Sequence, residues 1–272
     1  MKTLFMVFAL LVSTVLADSV TDLQNVSLTI HAAGSEGSGT IITRSKSNYV
    51  LTAGHVVASA RKAVKITNNG AKSNAVRFEP VEVVREIYVS NRSVGRTSIQ
   101  ADILAYSSAR QDYLALLKLR SKICDDSVVF APLDPPSLGT ELYHVGSLVG
   151  QKGSNSLVTG IYSQVGRVLF DKVFDQTSCP AFPGSSGGGV FNTSTSQFVG
   201  VVVRAYGVGF NLIVPNRRVM ELATRHGVEF IFDPAAPVDE KRIRLEGEEL
   251  DESGDEDEIA FTHAAPTLLL RR

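Results

Sequence analysis

The chain is 272 residues long and 44% apolar, with 27 Lys and Arg against 28 Asp and Glu for a formal net charge of −1. That length allows one large or two small domains, the apolar content is ample for a packed core, and the near balance of charge implies no nucleic-acid partner. Cys124 and Cys179 cannot make a zinc site by themselves, and no Cys-x-x-Cys, His-Glu-x-x-His, calcium loop or nucleotide fingerprint occurs, so no metal or cofactor is implied.

Residues 1–17 read as a secretory signal. Lys2 precedes an apolar stretch from Leu4 to Val12, and Val15-Leu16-Ala17 forms a small-residue cleavage site. The stretch is shorter than the roughly 20 residues a membrane span needs. The expected mature protein is therefore secreted or periplasmic, without stable membrane association. Export would permit a bridge between Cys124 and Cys179; two free, partly buried thiols are the preferred reading. Asn25, Asn91 and Asn192 each open an Asn-x-Ser/Thr sequon.

From residue 25 to 119 the chain alternates short runs of β-type residues with turns. The runs are Val26–His31, Thr40–Thr43, Tyr49–Thr52, Val64–Thr67, Val81–Val89, Ile99–Tyr106 and Tyr113–Leu119. Gly34 to Gly39 lacks the Lys-Ser/Thr of a phosphate loop and leads into a strand, so it reads as a hairpin. Asn69-Gly70 signals another, between the Val64–Thr67 and Val81–Val89 runs. Ser121 to Leu138, with three prolines, reads as an inter-domain connection. A second block follows, with runs at Glu141–Val149, Leu157–Val165, Arg167–Phe174, Gly189–Phe191, Phe198–Ala205 and Phe210–Val214. Pro215 then opens an amphipathic stretch, Arg217–His226, with Val219, Leu222 and Ala223 at helical spacing. Two blocks of about six strands with a terminal helix fit an all-β protein of two packed antiparallel barrels, about 25–119 and 138–232. Residues 18–232 would form this body.

Charge divides at the end of that body. Residues 18–232 carry 21 basic against 16 acidic side chains, and residues 233–272 carry 5 against 12. Nine of the thirteen residues from Glu246 to Glu258 are acidic, so the tail is expected to be disordered, or to fold back on the basic body as a removable inhibitor or partner-binding arm.

Pro183-Gly184-Ser185-Ser186-Gly187-Gly188 suits a strained turn that lifts one hydroxyl into the open. The amide N–H groups of Gly184 and Ser186 can then converge where a carbonyl becoming an oxyanion would sit. Taken alone this is only a Gly/Ser turn. A serine nucleophile needs a base, and that base a third group to orient it. Thr52-Ala53-Gly54-His55, then Asp112 before Ala115-Leu116-Leu117, then Gly-x-Ser-Gly-Gly, in that order, resembles the trypsin/chymotrypsin-like serine proteases. The resemblance implies Ser186 as nucleophile, His55 as general base and acid, and Asp112 as the residue orienting His55.

Gln176 to Ser186, Val158-Thr159-Gly160-Ile161 and Gly37-Ser38-Gly39 are similar to the HtrA-type peptidase domain. The chain departs from that pattern in three ways. Two residues, Tyr113 and Leu114, stand between Asp112 and Ala115 where the family has one; nothing resembling a PDZ domain follows; and Ser185 precedes the nucleophile, where trypsins carry Asp. Activation by a new N-terminus pairing with that Asp is therefore excluded. The resemblance lines the substrate pocket with Cys179, Pro180, Ala181 and Phe182 on one side and Val203, Arg204 and Ala205 on the other. Pro180, where trypsins have a pocket acid, favours a small or medium apolar side chain over Lys or Arg. A secreted serine endopeptidase acting on protein or peptide is thus the leading expectation, with activity falling on acidification around a midpoint near neutrality. A polyprotein-processing protease of viral type and a non-catalytic binding module remain the alternatives. His31 and His144 read as strand residues, His226 as a helix-end cation and His263 as a tail residue.

Overall fold

The computed structural model describes residues 19–238, apart from 69–70, 91, 109–110, 149–154, 170, 208 and 234, and is silent on the side chains of 66–75. The signal-like segment, the Asn91 sequon and the acidic run lie outside the described residues. Strands dominate, in two closed antiparallel barrels, the chymotrypsin-like fold.

The first barrel is built from β1 (Ser27–Ala32), β2 (Ser35–Arg44), β3 (Ser47–Ala53), β6 (Val81–Val89), β7 (Arg92–Tyr106) and β8 (Leu114–Leu119). They close in the order β1-β2-β3-β8-β7-β6, with β6 returning to β1 at Leu28↔Arg85. The Gly34 region is a hairpin as expected. Ala32 pairs with Ser35, and Ala33 and Gly34 turn with φ of 44° and 88°. β8 reads Leu-Ala-Leu-Leu-Lys-Leu and is buried almost throughout, because its continuous apolar run is covered on both faces.

β4 (Arg61–Asn68) and β5 (Ala71–Phe78) pair only with each other. Asn69 and Gly70, expected to form a hairpin turn, lie outside the described residues; the strands on either side of them pair, with Asn68 opposite Ala71. The partner strand, however, is β5, not the Val81–Val89 run. Lys72, Ser73, Asn74 and Arg77 hide β5 from a reading that looks for β-branched residues. The sequence also conceals α1 (Ser19–Asn25), which packs on β6.

The second barrel contains β9 (Glu141–Ser147), β10 (Asn155–Leu169), β11 (Lys172–Thr177), β12 (Gly189–Asn192), β13 (Phe198–Ala205) and β14 (Asn211–Pro215), closed in the order β10-β11-β14-β13-β12-β9. The proline-rich connection crosses between the barrels and is stitched to both, Val128 N–H to Ile41 O at 3.1 Å and Ala131 N–H to Phe198 O at 2.8 Å. Between them α2 (Gly54–Val57) leaves β3, and α3 (Asn216–His226) follows β14. Gly227, at φ 63°, ends α3 by donating to the carbonyls of Ala223 and Thr224.

Asp175 is fully buried on β11 and is satisfied by Tyr162 Oη, the Gly166 N–H at 2.9 Å and a two-pronged Arg217 contact at 2.7 and 2.8 Å. Burial and this carboxylate push the Tyr162 phenol pKa far up, so Tyr162 stays a donor. Among the described residues no helix is long and apolar enough to cross a membrane. Both cysteines are free thiols, with pKa values raised chiefly by burial.

Candidate active site

The site lies where the two barrels meet. In the turn before β12 the N–H of Ser185 donates to Phe182 O at 3.0 Å, that of Gly187 to Val202 O at 2.7 Å, and that of Gly188 to Ser185 O at 3.0 Å. Among the described residues the N–H groups of Gly184 and Ser186 donate to nothing. The turn thus consumes its other donors and leaves free the two that an oxyanion hole requires. Gly184 and Gly187 hold φ of 90° and 88°, which only glycine adopts without strain. Ser185 is buried, its Oγ accepting the Phe182 N–H at 3.0 Å. Ser186 is half-buried, and its Oγ makes no hydrogen bond among the described residues. Of two adjacent serines, one is structural and the other is available.

β2 of the first barrel carries the clamp on this turn. Ser38 N–H donates to Ser186 O at 2.7 Å, and Ser38 Oγ donates to Gly184 O at 2.7 Å while accepting the Ser147 N–H at 2.7 Å. Thr52 Oγ1 donates to Ser38 O at 2.6 Å. A Cβ on Gly187 would stand 2.2 Å from both Ser38 O and Thr52 Oγ1. A Cβ on Gly37 would stand 2.4 Å from the Val56 side chain and 2.9 Å from Ser186 O. The helix bearing His55 and the turn bearing Ser186 therefore converge on one glycine. Sequence reasoning noted Gly37-Ser38-Gly39 as a similarity and missed the role of Ser38, because an inter-barrel bond has no local signature. Replacing Ser38 by Ala takes away the hydroxyl that bridges the Ser147 N–H and the Gly184 carbonyl. We expect Ser38→Ala to lower unfolding free energy by about 1–3 kcal/mol and to reduce turnover about tenfold, measured by urea denaturation and peptide hydrolysis.

His55 sits on α2, largely covered. Burial first, and then the Arg204 guanidinium, lower its pKa from 6.5 to about 4. Its Nδ1 is buried with no hydrogen-bond partner. The Tyr113 ring lies against the imidazole, centroids 5.2 Å apart and planes tilted by 52°. The bond between Asp112 and His55 implied by the resemblance is not made. Asp112 faces the other way. Its carboxylate accepts from both ends of the Arg225 guanidinium and from Ser107 Oγ at 3.3 Å, and lies 3.9 Å from Arg218. Its own N–H donates to Ser107 Oγ at 2.6 Å. The cause is in the backbone. Tyr113 is left-handed, at φ 66°, and this reversal just before β8 sends neighbouring side chains to opposite sides.

The residues predicted to line the pocket separate. Cys179 is fully buried in the core of the second barrel, with Leu142, Tyr162 and Ile213, its Sγ 3.6 Å from Leu142 O. Pro180 is exposed, Ala181 packs beside the same core, and the Phe182 ring lies 6.3 Å from that of His144. Val203 and Arg204 do line a shallow cleft, with Tyr113, Phe174, Tyr206 and Leu212; Ala205 is exposed beside it. Arg204 donates to Tyr206 Oη at 3.2 Å and to Tyr113 Oη at 3.5 Å.

His144, on β9, is fully buried behind the serine turn. Its Nδ1 donates to Gly189 O at 3.1 Å, so Nε2 carries no proton, and Nε2 has no partner. Burial lowers its pKa to about 4. Two histidines held neutral make folding sensitive to acid. Between pH 6.5 and 4 the unfolded chain binds protons that the folded one refuses, so stability is full above 6.5 and declines as pH falls to about 4. Each group contributes a loss of roughly 3 kcal/mol over that window. Urea midpoints should fall accordingly, and His144→Leu should show about half the slope.

Two closed barrels that bring a glycine-rich serine turn and a helix-borne histidine to a shared seam define the chymotrypsin-like serine proteases. A family model for the trypsin-like peptidase domain matches residues 37–201, more than half the chain, and the chain belongs to that family. Several solved structures share its fold. Deg5 shares 20% identity at a TM-score of 0.55, covering 75% of this chain and 89% of that one. An inactive serine-to-alanine form of Rv3671c from M. tuberculosis H37Rv shares 17% at 0.56, covering 82% and 93%. The serine endoprotease from Yersinia pestis shares 18% at 0.54, covering 79% and 67%. Among curated proteins no match was found. Membership supports serine protease activity on a protein or peptide substrate.

Proposed function

We propose that the protein is a secreted serine endopeptidase in which Ser186 and His55 carry out acyl transfer. The observation that carries this is the serine turn, where among the described residues the N–H groups of Gly184 and Ser186 have no acceptor and, of the two adjacent serine hydroxyls, that of Ser186 is unbonded. Ser186 Oγ attacks the peptide carbonyl carbon and His55 takes its proton. The oxyanion rests on the N–H groups of Gly184 and Ser186. His55 then returns the proton to the leaving amine, and water releases the acyl group by the same route. With Pro180 in place of a pocket acid, a small or medium apolar side chain is the favoured residue before the cleaved bond.

The unpartnered Nδ1 of His55 favours a second reading, a binding module that has kept the fold. A fluorophosphonate probe separates the two. The enzyme is labelled covalently at Ser186, located by peptide mass spectrometry, and a folded protein that stays unlabelled refutes the proposal. Sequencing the N-terminus of the exported protein tests removal of residues 1–17.

A further inference from the structure

We propose that Tyr113 is the residue that positions His55, by packing its ring on the imidazole, and that Asp112 is a structural carboxylate strapping the C-terminal helix to the first barrel. The kinetic part of this inference rests on the serine-protease reading; the structural part does not.

The Tyr113 ring is 8% exposed and belongs to the same core as α2. The backbone fixes its place beside the helix. Gly54 N–H donates to Tyr113 O at 2.8 Å, and Tyr113 N–H donates to Ser108 O at 3.1 Å. A Cβ on Gly54 would stand 2.3 Å from Ser107 O, so the start of α2 lies directly on this turn. From β13, Arg204 also reaches the ring, its guanidinium carbon 5.5 Å from the centroid. Tyr113 thus contacts both a cation from the second barrel and the imidazole from the first. Among the described residues, the charged and titratable groups that bear on His55 are Tyr113, from the turn before β8, and Arg204, from β13.

Asp112 is occupied elsewhere. Its fork with Arg225 and its approach to Arg218 join the β7–β8 turn to α3. Arg218 is 4% exposed and also donates to Gln111 O at 2.8 Å and to Val173 O at 3.0 Å, with its guanidinium 4.7 Å from the Phe174 ring. Turning the Asp112 carboxylate toward His55 would strand that buried cation. The two residues between Asp112 and Ala115 put Tyr113, not Asp112, at the register where the family pattern has its acid. An aromatic ring there fixes the plane of the imidazole but supplies no negative charge for the imidazolium that forms during acyl transfer.

The experiment compares Tyr113→Phe, Tyr113→Ala, Tyr113→Asp and Asp112→Asn in the full chain. It reads the His55 titration by NMR and the rate of fluorophosphonate labelling at Ser186 against pH. Tyr113→Phe keeps the ring and should keep the titration midpoint within about half a unit. Tyr113→Ala uncovers the imidazole, so the midpoint rises by about a unit or more and labelling slows on the order of tenfold. Tyr113→Asp supplies an anion on a left-handed backbone that Asp tolerates better than Tyr, and should raise the midpoint further. Asp112→Asn should lower the thermal unfolding midpoint and leave the His55 titration in place. The inference is overturned if folded Asp112→Asn shifts that titration by about a unit or loses labelling about a thousandfold. A shifted titration in Tyr113→Phe also overturns it, and needs no information from the Ala variant should that fail to fold. If wild type is not labelled, the protease reading fails, and the NMR titrations still decide the roles of Tyr113 and Asp112.

Discussion

Ser186→Ala should reduce turnover about a millionfold and abolish fluorophosphonate labelling, with no loss of stability. The sequence offers two adjacent serines, and the turn separates their duties. Ser186 Oγ makes no bond in the fold among the described residues, so removing it leaves no partner unsatisfied. Ser185 is 1% exposed and accepts the Phe182 N–H that shapes the approach to Gly184. Ser185→Ala should therefore show the converse, a loss of about 1 kcal/mol in urea denaturation with labelling retained. If Ser186→Ala keeps activity within tenfold of wild type, or if labelling maps to Ser185, the nucleophile has been misassigned.

The barrels were legible because their strands obey local rules. Leu114–Leu119 and Val81–Val89 are dense in residues that favour a pleated surface, and Pro215 ahead of Arg217–His226 marks the start of α3 closely. The turn and the short helix that bring Ser186 and His55 to the seam between the barrels were legible because glycines around a serine, and a glycine before a histidine, are backbone requirements written in the sequence itself. The partner of His55 was not. Which way a side chain faces after Ser107 depends on one left-handed residue, Tyr113, a conformation that sequence composition does not announce for an aromatic residue. Arg218 and Arg225, which claim Asp112, sit more than a hundred residues downstream on α3, and only the closed second barrel brings them near. Cys179 shows the same limit. The resemblance places it in a pocket wall, and nothing in the sequence announced that its side chain packs in the barrel core.

The rate of labelling at Ser186 should hold nearly constant from pH 8 to about pH 5 and fall with a midpoint near 4. The sequence alone predicts a midpoint near neutrality, raised if a carboxylate stabilises the imidazolium. The structure reverses the sign. Burial is the larger cause and the Arg204 cation the smaller, and both favour neutral imidazole, the form that accepts the serine proton. The base therefore stays competent in mild acid, and as a weaker base it gives a lower plateau. Arg204→Gln removes only the smaller cause, so its midpoint should rise and still lie below 6.5. Acid also weakens the fold through His55 and His144, and the two effects separate by timing. Loss caused by protonation of His55 reverses at once when the pH is returned to 7, whereas loss through unfolding recovers at the refolding rate and is accompanied by loss of the tertiary signal. A midpoint at or above 6.5 in folded wild-type protein would mean that a carboxylate reaches His55 in solution, and would restore Asp112 to the orienting role first expected of it.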